Sequence, residues 1–199
     1  IKSMQNSFFM QQAIEEALKA DPNKVYPNPL VGCVIVKNDK IIGRGYHKKF
    51  ATNHAEVNAI ESLESPVKNA DLYVTLEPCA HFGKNPPCVS AIIKSRMFKK
   101  VVIAVADPNK KAMGGIDELK KAGIKVFLGD SEKEAKEINQ RFFTFFEKKR
   151  PYVILKYART KDGFIAHPDG SSKWITEQDA RKDVHITSCL LYTSPSPRD

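Results

Sequence analysis

Helical and strand patterns alternate along most of this 199-residue chain, and the alternation is its strongest structural constraint. Amphipathic stretches predict helices, and short β-branched apolar runs predict strands, in the order α-β-β-α-β-α-β-α-β-α. Strands that alternate with helices favour a mixed, mostly parallel sheet packed between two layers of helices. The sequence therefore predicts an α/β fold.

The predicted elements are separated by loops rich in proline, glycine or charge. Pro87 is placed to begin one helix, because a proline in the first turn loses no helical hydrogen bond. A short turn at residues 38–40 joins the first two strands into a hairpin. We expect helices over 7–20, 54–63, 88–95, 115–122 and 131–147, and strands over 31–37, 41–46, 70–76, 100–106 and 124–128.

A charged break at residues 148–151 (Lys-Lys-Arg-Pro) is the best candidate for a domain boundary. We expect residues 1–147 to form one domain and residues 148–151 a linker. A new strand is predicted over 152–158, at the start of a second segment that extends to residue 187. Beyond it the pattern fails, and we expect the Ser/Pro-rich tail 188–199 to be disordered or artefactual.

The formal net charge of +9 suits an anionic small substrate, although scattered lysines also serve solubility. The sequence lacks RGG, RNP-type and basic-helix patterns, so no nucleic-acid partner is expected. It also lacks an apolar run of about 18 residues, so no membrane span is expected. Without a secretion signal we expect a cytoplasmic location, where the four cysteines would serve as metal ligands or free thiols.

Two clusters of chemically active residues lie at predicted element junctions. His54 and Glu56 stand on the first turn of one helix, while Cys79 follows a strand and Cys88 opens the next helix. One imidazole and two thiolates match a zinc site whose fourth position is open for water. Helix N-termini favour the thiolate form. Glu56 is too close to His54 to be a convenient ligand, so we expect it to relay a proton between water and a departing amine.

Zinc nucleobase deaminases carry H-x-E followed by P-C-x-x-C. This chain has the H-x-E and the P-C, but eight residues separate its two cysteines. One alternative is a helix start beside core thiols without function. Another is a structural four-ligand zinc site with Cys33 or His81 as the fourth ligand. Cys33 lies in an apolar run, so a buried core thiol is its default interpretation.

The run Gly43-Arg44-Gly45 superficially suggests a phosphate-binding loop. It lacks the strand–loop–helix context that such a loop requires, and we reject that interpretation.

Four stretches carry a family pattern: PNPLVGCVIV (27–36), HAEVNAI (54–60), YVTLEPCAHFGKNPPC (73–88) and ADPN (106–109). Through them the chain resembles the deaminase half of the bifunctional deaminase/reductases of riboflavin biosynthesis. The long spacing between the cysteines distinguishes this branch from cytidine and transfer-RNA adenosine deaminases. The resemblance extends over about residues 4–187 and implies a cytidine-deaminase-like three-layer α/β/α sandwich with a mixed sheet.

The resemblance implies a reaction and a set of roles. The reaction would be hydrolytic loss of the ring amine of diaminohydroxyphosphoribosylaminopyrimidine as ammonia. The zinc ligands map onto His54, Cys79 and Cys88, and the proton shuttle maps onto Glu56. Substrate contacts map onto Asn28, His47, His81, Lys84, Asp107 and Asn109, with Lys84 suited to a phosphate. Deaminases of other nucleobases, nucleosides or tRNA, and a non-catalytic zinc-binding module, remain as alternatives, and the resemblance also implies a homo-oligomer.

Residues 151–187 resemble the opening of the family's reductase domain, which has a dihydrofolate-reductase-like fold. The matching motifs are LKYARTKDG (155–163) and GSSKWIT (170–176). In a full-length relative, Ala158 and Trp174 would contact NADPH, and Ser172 would contact the substrate. About forty residues bury too little apolar surface to form a cofactor cleft, so we expect this chain to lack reductase activity.

Overall fold

A computed structural model describes residues 2–83 and 86–190 of the chain. Lys84 and the tail residues 191–199 therefore lie outside the described residues. The chain divides into two compact units, residues 1–152 and residues 153–199.

Seven helices and five strands are described in the first unit. The helices are α1 (Lys2–Ala17), α2 (Pro22–Val25), α3 (Ala55–Glu61), α4 (Cys88–Ser95), α5 (Gly115–Lys121), α6 (Glu132–Glu137) and α7 (Gln140–Lys148). The strands are β1 (Gly32–Lys37), β2 (Lys40–Tyr46), β3 (Ala70–Leu76), β4 (Phe98–Val105) and β5 (Lys125–Leu128).

The five strands form one mixed sheet in the order β2-β1-β3-β4-β5. Strand β1 is antiparallel to both β2 and β3, whereas β3–β4 and β4–β5 are parallel pairs. The mixed sheet confirms the predicted fold class, with half of its pairings parallel rather than most of them. Because β1 runs opposite to β3 and β4, the start of β1 lies at the same edge as the ends of β2, β3 and β4.

Helices cover both faces of the sheet, so the unit is a three-layer sandwich. Side chains alternate along each strand, as strand geometry requires. On β1, Cys33 and Ile35 join the core shared with α3, α4 and α5, whereas Val34 and Val36 join the core shared with α1, α6 and α7. Both cores consist mainly of buried aliphatic and aromatic side chains, which exclude water from each helix–sheet interface.

The single helix predicted over 131–147 is wrong, because the chain forms two helices there. Helix α6 ends before Ile138, and α7 starts after Asn139, whose backbone (φ −126°, ψ 29°) leaves the helical region. The side chain of Asn139 bonds both backbone polar groups of Leu30 at 2.8 Å. A continuous helix would not leave the Asn139 backbone in this conformation, so the break accompanies the contact with Leu30.

The second unit contains one described helix, α8 (Gln178–Leu190). The strand predicted over 152–158 is wrong, since this segment has no regular structure. Its apolar side chains are largely exposed, with Val153 at 74% and Leu155 at 81%. A strand is stabilised by hydrogen bonds to a neighbouring strand, and no strand is described within residues 153–190 to supply them.

The membrane prediction can be checked against the described helices. None of the helices in the described part of the chain combines the length and the apolar character that crossing a bilayer requires.

Candidate active site

The sheet topology gathers four loops at one edge of the sheet, one of which, residues 47–54, carries both His47 and His54. Asn28 precedes β1, His47 follows β2, Cys79 follows β3 and Asp107 follows β4, while His54 is the N-cap of α3. Open α/β sheets commonly bind ligands beyond the carboxyl ends of their parallel strands. The residues predicted to carry the chemistry therefore come from segments that the fold places side by side.

The predicted metal ligands lie together in space. Ligand atoms of His54, Cys79 and Cys88 all lie within 4.8 Å of one another, and no other such group occurs among the described residues. His54 Nδ1 is 3.0 Å from the Sγ atom of Cys88 and 3.6 Å from that of Cys79. Neither Cys33 nor His81 belongs to the cluster, so a four-ligand site with either residue is not supported.

Hydrogen bonds favour a thiolate at Cys79. The Cys88 backbone N–H, at the start of α4, points at Cys79 Sγ with N···S 3.4 Å. Hydrogen bonds from the Cys88 thiol and from His54 lower the pKa of Cys79 far below that of a free thiol, although burial opposes them. The hydrogen bond to Cys79 is also the largest cause of a raised pKa of His54, and burial opposes it. One imidazole with two sulfurs is a donor set that fits zinc.

Glu56 lies buried beside the metal cluster, with 3% of its surface exposed. Burial raises its pKa to about 6, and the neighbouring His54 partly opposes that shift. The carboxyl lines the same pocket as His54 and Cys79. A carboxyl whose pKa lies this close to neutrality is suited to accept and return a proton.

Two glycines allow α3 to lie directly on β2. A Cβ atom on Gly45 would collide with the backbone at Ala55 and Ala59, and one on Gly43 would lie 2.9 Å from the Ala59 oxygen. The Gly43-Arg44-Gly45 run therefore serves close helix–strand packing, in agreement with its rejection as a phosphate loop. Close packing fixes the distance between α3 and the sheet, and with it the positions of His54 and Glu56.

A pocket of about 260 Å³ opens beside the cluster. Its apolar walls include Phe50, Leu76 and Phe142. Flat aromatic and aliphatic walls with a few convergent polar groups are typical of small-molecule sites. The polar residues that line the pocket are Asn28, His47, His54, Glu56, Glu77, Cys79, His81, Asp107 and Asn109.

Asn28 and His47 are held in a defined arrangement. The Asn28 amide Nδ2 lies 3.1 Å from His47 Nε2, and His47 Nδ1 lies 3.2 Å from the Asn53 carbonyl oxygen. Because an amide nitrogen donates and a carbonyl accepts, these bonds assign the neutral ring with its proton on Nδ1. Burial lowers the pKa of His47, which agrees with that form. The His47 ring packs edge to face against His54, with centroids 5.1 Å apart.

Glu77 is a buried pocket residue that the sequence interpretation missed. Its Oε2 atom accepts a hydrogen bond from the Asp107 backbone at 3.1 Å, and its Oε1 atom accepts from Gly114 and Ile116 at 3.0 and 3.1 Å. Asp107 in turn accepts from the Asn109 backbone at 2.8 Å. The one available sequence signal was an acidic residue placed directly after a buried strand.

Burial gives Asp107 an unusual acidity. Its carboxyl is 9% exposed, and desolvation raises its pKa to about 6, with a further contribution from the charge of Glu77. The hydrogen bond from Asn109 opposes that shift. Asp107 therefore faces the pocket as a weaker acid than an exposed aspartate.

The remaining predicted residues have different surroundings. Lys84 lies outside the described residues. Ala158, Ser172 and Trp174 are all exposed in the second unit, and the Arg181 guanidinium lies 4.1 Å above the Trp174 ring. Cys33 is fully buried in the core, where desolvation raises its pKa.

Comparison with known proteins identifies the class to which this fold and site belong. The family model for the cytidine and deoxycytidylate deaminase zinc-binding region matches residues 3–105, more than half of the chain. The chain belongs to that family. A second model, the RibD C-terminal domain, matches residues 151–188.

Within that class, the chain is similar to riboflavin biosynthesis proteins. It is 49% identical to riboflavin biosynthesis protein RibD of Aquifex aeolicus over 179 residues, which are 89% of this chain and 50% of that protein. The RibD structure from Acinetobacter baumannii, form 1, matches with a TM-score of 0.86 and 48% identity, over 92% of this chain and 51% of that one.

A Thermotoga maritima structure agrees with these matches. It is named a diaminohydroxyphosphoribosylaminopyrimidine deaminase/5-amino-6-(5-phosphoribosylamino)uracil reductase, and it matches with a TM-score of 0.86 and 45% identity. The match covers 94% of this chain and 54% of that one. The chain thus spans about half the length of the curated relatives it matches, and the resemblance to the bifunctional riboflavin enzymes is confirmed.

Proposed function

We propose that this chain is a zinc-dependent aminohydrolase of riboflavin biosynthesis, which removes the ring amine of diaminohydroxyphosphoribosylaminopyrimidine as ammonia. The observation that carries the proposal is the convergence of the His54, Cys79 and Cys88 ligand atoms within 4.8 Å of one another. The buried Glu56 carboxyl lines the same pocket. Three protein donors are typical of catalytic zinc sites, whereas structural sites take four.

Glu56 would move the proton in this reaction. A zinc ion held by the three donors would supply Lewis-acid chemistry and a nucleophile at neutral pH. One water is consumed for each ammonia released, its oxygen becoming the new ring carbonyl oxygen. Of the two protons of that water, Glu56 accepts one at its carboxylate and delivers it to the departing nitrogen as the C–N bond breaks, and the other goes to the ring nitrogen next to the new carbonyl.

The polar lining of the pocket would orient the pyrimidine. Asn28 presents an amide next to His47, and its backbone is stiffened by the flanking prolines. Asp107 and Asn109 line the pocket from the loop after β4, and His81 lines it from the loop after β3. These groups offer both donors and acceptors to a base and a ribosyl chain.

Lys84 would bind the phosphate of the substrate. It stands in the Gly83-Lys84-Asn85 run between the two cysteine ligands in sequence. A lysine can meet a phosphate as a compact point charge. The formal net charge of +9 also favours the approach of an anionic substrate.

Ammonia release from matched substrates tests this function. We expect the purified, zinc-loaded chain to release ammonia from the phosphorylated pyrimidine, with kcat/KM at least about tenfold higher than for its dephosphorylated counterpart, because a charge-assisted contact is lost. The Lys84→Ala variant should narrow that difference. Equal rates on the two compounds would contradict the phosphate assignment.

Two other outcomes would point to the alternative functions. Faster release from cytidine, another nucleoside or tRNA would favour a different deaminase. Tight zinc binding without ammonia release from any of these compounds would favour a non-catalytic zinc module.

We further propose that the reductase-like segment 151–187 does not by itself bind NADPH or carry out the reductase step. Ala158, Ser172 and Trp174 are exposed, and Arg181 stacks on the Trp174 ring. Addition of NADPH with the deaminated product should therefore produce no loss of nicotinamide fluorescence above the rate without enzyme. Turnover in that assay would contradict the proposal.

Two further proposals concern the cellular location and the oligomeric state of the protein. Free thiols are typical of reducing compartments, and this favours a cytoplasmic location. We also propose a homo-oligomer, as the family resemblance implies, and sedimentation of the purified chain would test it.

A further inference from the structure

We propose that Glu77 is a positioning residue, which holds the Asp107–Asn109 segment in the pocket through backbone hydrogen bonds. This inference rests on the proposed function, because it assumes that the segment contacts the substrate. Glu77 is 5% exposed, and its two oxygens accept three backbone N–H bonds from residues 30 to 39 positions further along the chain. A buried carboxylate is tolerated only when its oxygens are satisfied in this way.

The two carboxylate oxygens of Glu77 serve two different partners. Oε1 accepts from Gly114 and Ile116, at the start of α5. Gly114 has no side chain with which to cap that helix. The carboxylate of Glu77, which follows β3, caps the helix instead. Oε2 accepts from Asp107 alone. One oxygen therefore anchors a helix, and the other anchors the segment that faces the pocket.

Further hydrogen bonds continue from Asp107 along the rest of the segment that faces the pocket. Asp107 Oδ1 accepts from the Asn109 N–H at 2.8 Å, and Asn109 Oδ1 accepts from the Lys111 N–H at 3.1 Å. The Ala80 N–H, next to Cys79, donates to the Ala112 carbonyl at 3.1 Å. The first two bonds are local, whereas the Ala80–Ala112 bond ties the far end of the segment to the loop after β3. The hydrogen bond from Asp107 to Glu77 is therefore the side-chain anchor at the start of the segment.

The close approach of α5 supports the same arrangement. A Cβ atom on Gly115 would collide with the Pro78 carbonyl oxygen. The helix start therefore lies directly against the strand end that carries Glu77.

The Glu77→Gln variant separates the two anchors. Glutamine keeps one acceptor oxygen for Gly114 and Ile116, but its amide group then faces the Asp107 N–H, donor against donor. We expect a rise in KM of about tenfold, the effect of leaving one buried backbone donor unpaired. The kcat value and the zinc content should change little, because the metal ligands and Glu56 are untouched. Glu77→Asp, one methylene shorter, should also raise KM and serves if the glutamine variant folds poorly.

Glu16→Gln is the matched control. Glu16 is equally buried, on α1, where it pairs with Arg44 at 3.0 Å and Lys19 at 2.7 Å. It does not line the pocket. Its replacement should lower the melting temperature without raising KM. A rise in KM in both variants would show that general destabilisation is the cause and would overturn the proposal.

Hydrogen–deuterium exchange supplies a readout that does not need catalysis. Peptides that cover residues 106–110 should exchange faster in Glu77→Gln than in the parent, and at the parent rate in Glu16→Gln. Unchanged exchange there, or faster exchange with unchanged KM, would overturn the positioning role. Absence of ammonia release from the parent would instead overturn the proposed function and the catalytic meaning of Glu77, while exchange would still decide whether Glu77 holds the segment.

Discussion

The side chain of Asn139 pairs with both backbone polar groups of Leu30, its Oδ1 accepting from the N–H and its Nδ2 donating to the carbonyl, each at 2.8 Å. The two residues are 109 positions apart in sequence. This pair fixes the loop before β1, which carries Asn28 to the pocket. The position between α6 and α7 therefore contributes to the shape of a site formed by residues much earlier in the chain.

Asn139→Asp should loosen that loop. Aspartate keeps an acceptor for the Leu30 N–H but places a second oxygen against the Leu30 carbonyl, where a donor is needed. We expect a loss of about 1–3 kcal/mol in the free energy of unfolding, together with a higher KM. Urea denaturation and steady-state kinetics measure the two effects. Wild-type stability in this variant would contradict the role given to the pair.

Glu56→Gln should abolish most of the catalysis while keeping the metal. Glutamine has a similar shape but cannot accept and return a proton at neutral pH, so ammonia release should fall about 10²–10⁴-fold. Zinc content, measured by atomic absorption, serves as the control and should equal that of the parent. Full ammonia release would show that Glu56 is not the proton shuttle.

Cysteine variants should distinguish ligands from core thiols. Cys88→Ala removes one of three donors and should lower zinc retention during dialysis against a chelator. Cys33→Ala removes a fully buried thiol outside the cluster, and it should cost some stability while retaining zinc. Equal zinc loss in both variants would argue against the ligand assignment.

Two glycine variants should distinguish destabilisation caused by steric collision from destabilisation caused by backbone strain. Gly45→Ala forces a Cβ atom into the backbone of α3 and should cost about 1–3 kcal/mol of stability. It should also weaken zinc retention, because α3 positions His54. Gly123→Ala has open space but a φ of +82°, so it should cost about 1 kcal/mol. Zinc retention should be unchanged in the Gly123 variant, and an equal loss in both would contradict this distinction.

The sequence was most informative where the signal is local. The alternation of patterns predicts the sandwich because strand and helix periodicities depend on neighbouring residues. His54 and Glu56 stand two positions apart at a helix start, and Cys88 opens a helix after Pro87. The sequence alone therefore indicates that these residues lie at the starts of helices. Their roles as ligands and shuttle remain predictions that the variants above test.

The sequence was least informative where a partner is remote. Glu77 and Asn139 bond to backbone groups, which every residue possesses, so no residue type marks the partner in advance. The prediction of one helix over 131–147 missed the break at Asn139 for this reason. The strand predicted over 152–158 failed for a related one, because an apolar run does not reveal whether a neighbouring strand is present.

The three candidate ligands come from separate parts of the chain: the start of α3, the loop after β3 and the start of α4. A metal ion held between them would act as a crosslink that closes the loop between residues 54 and 88. The unfolded chain has no preformed site for the ion, so the free energy of binding would add to the stability of the folded chain. Chelation should therefore loosen this whole side of the sheet, much as reduction of a disulfide loosens a small secreted protein.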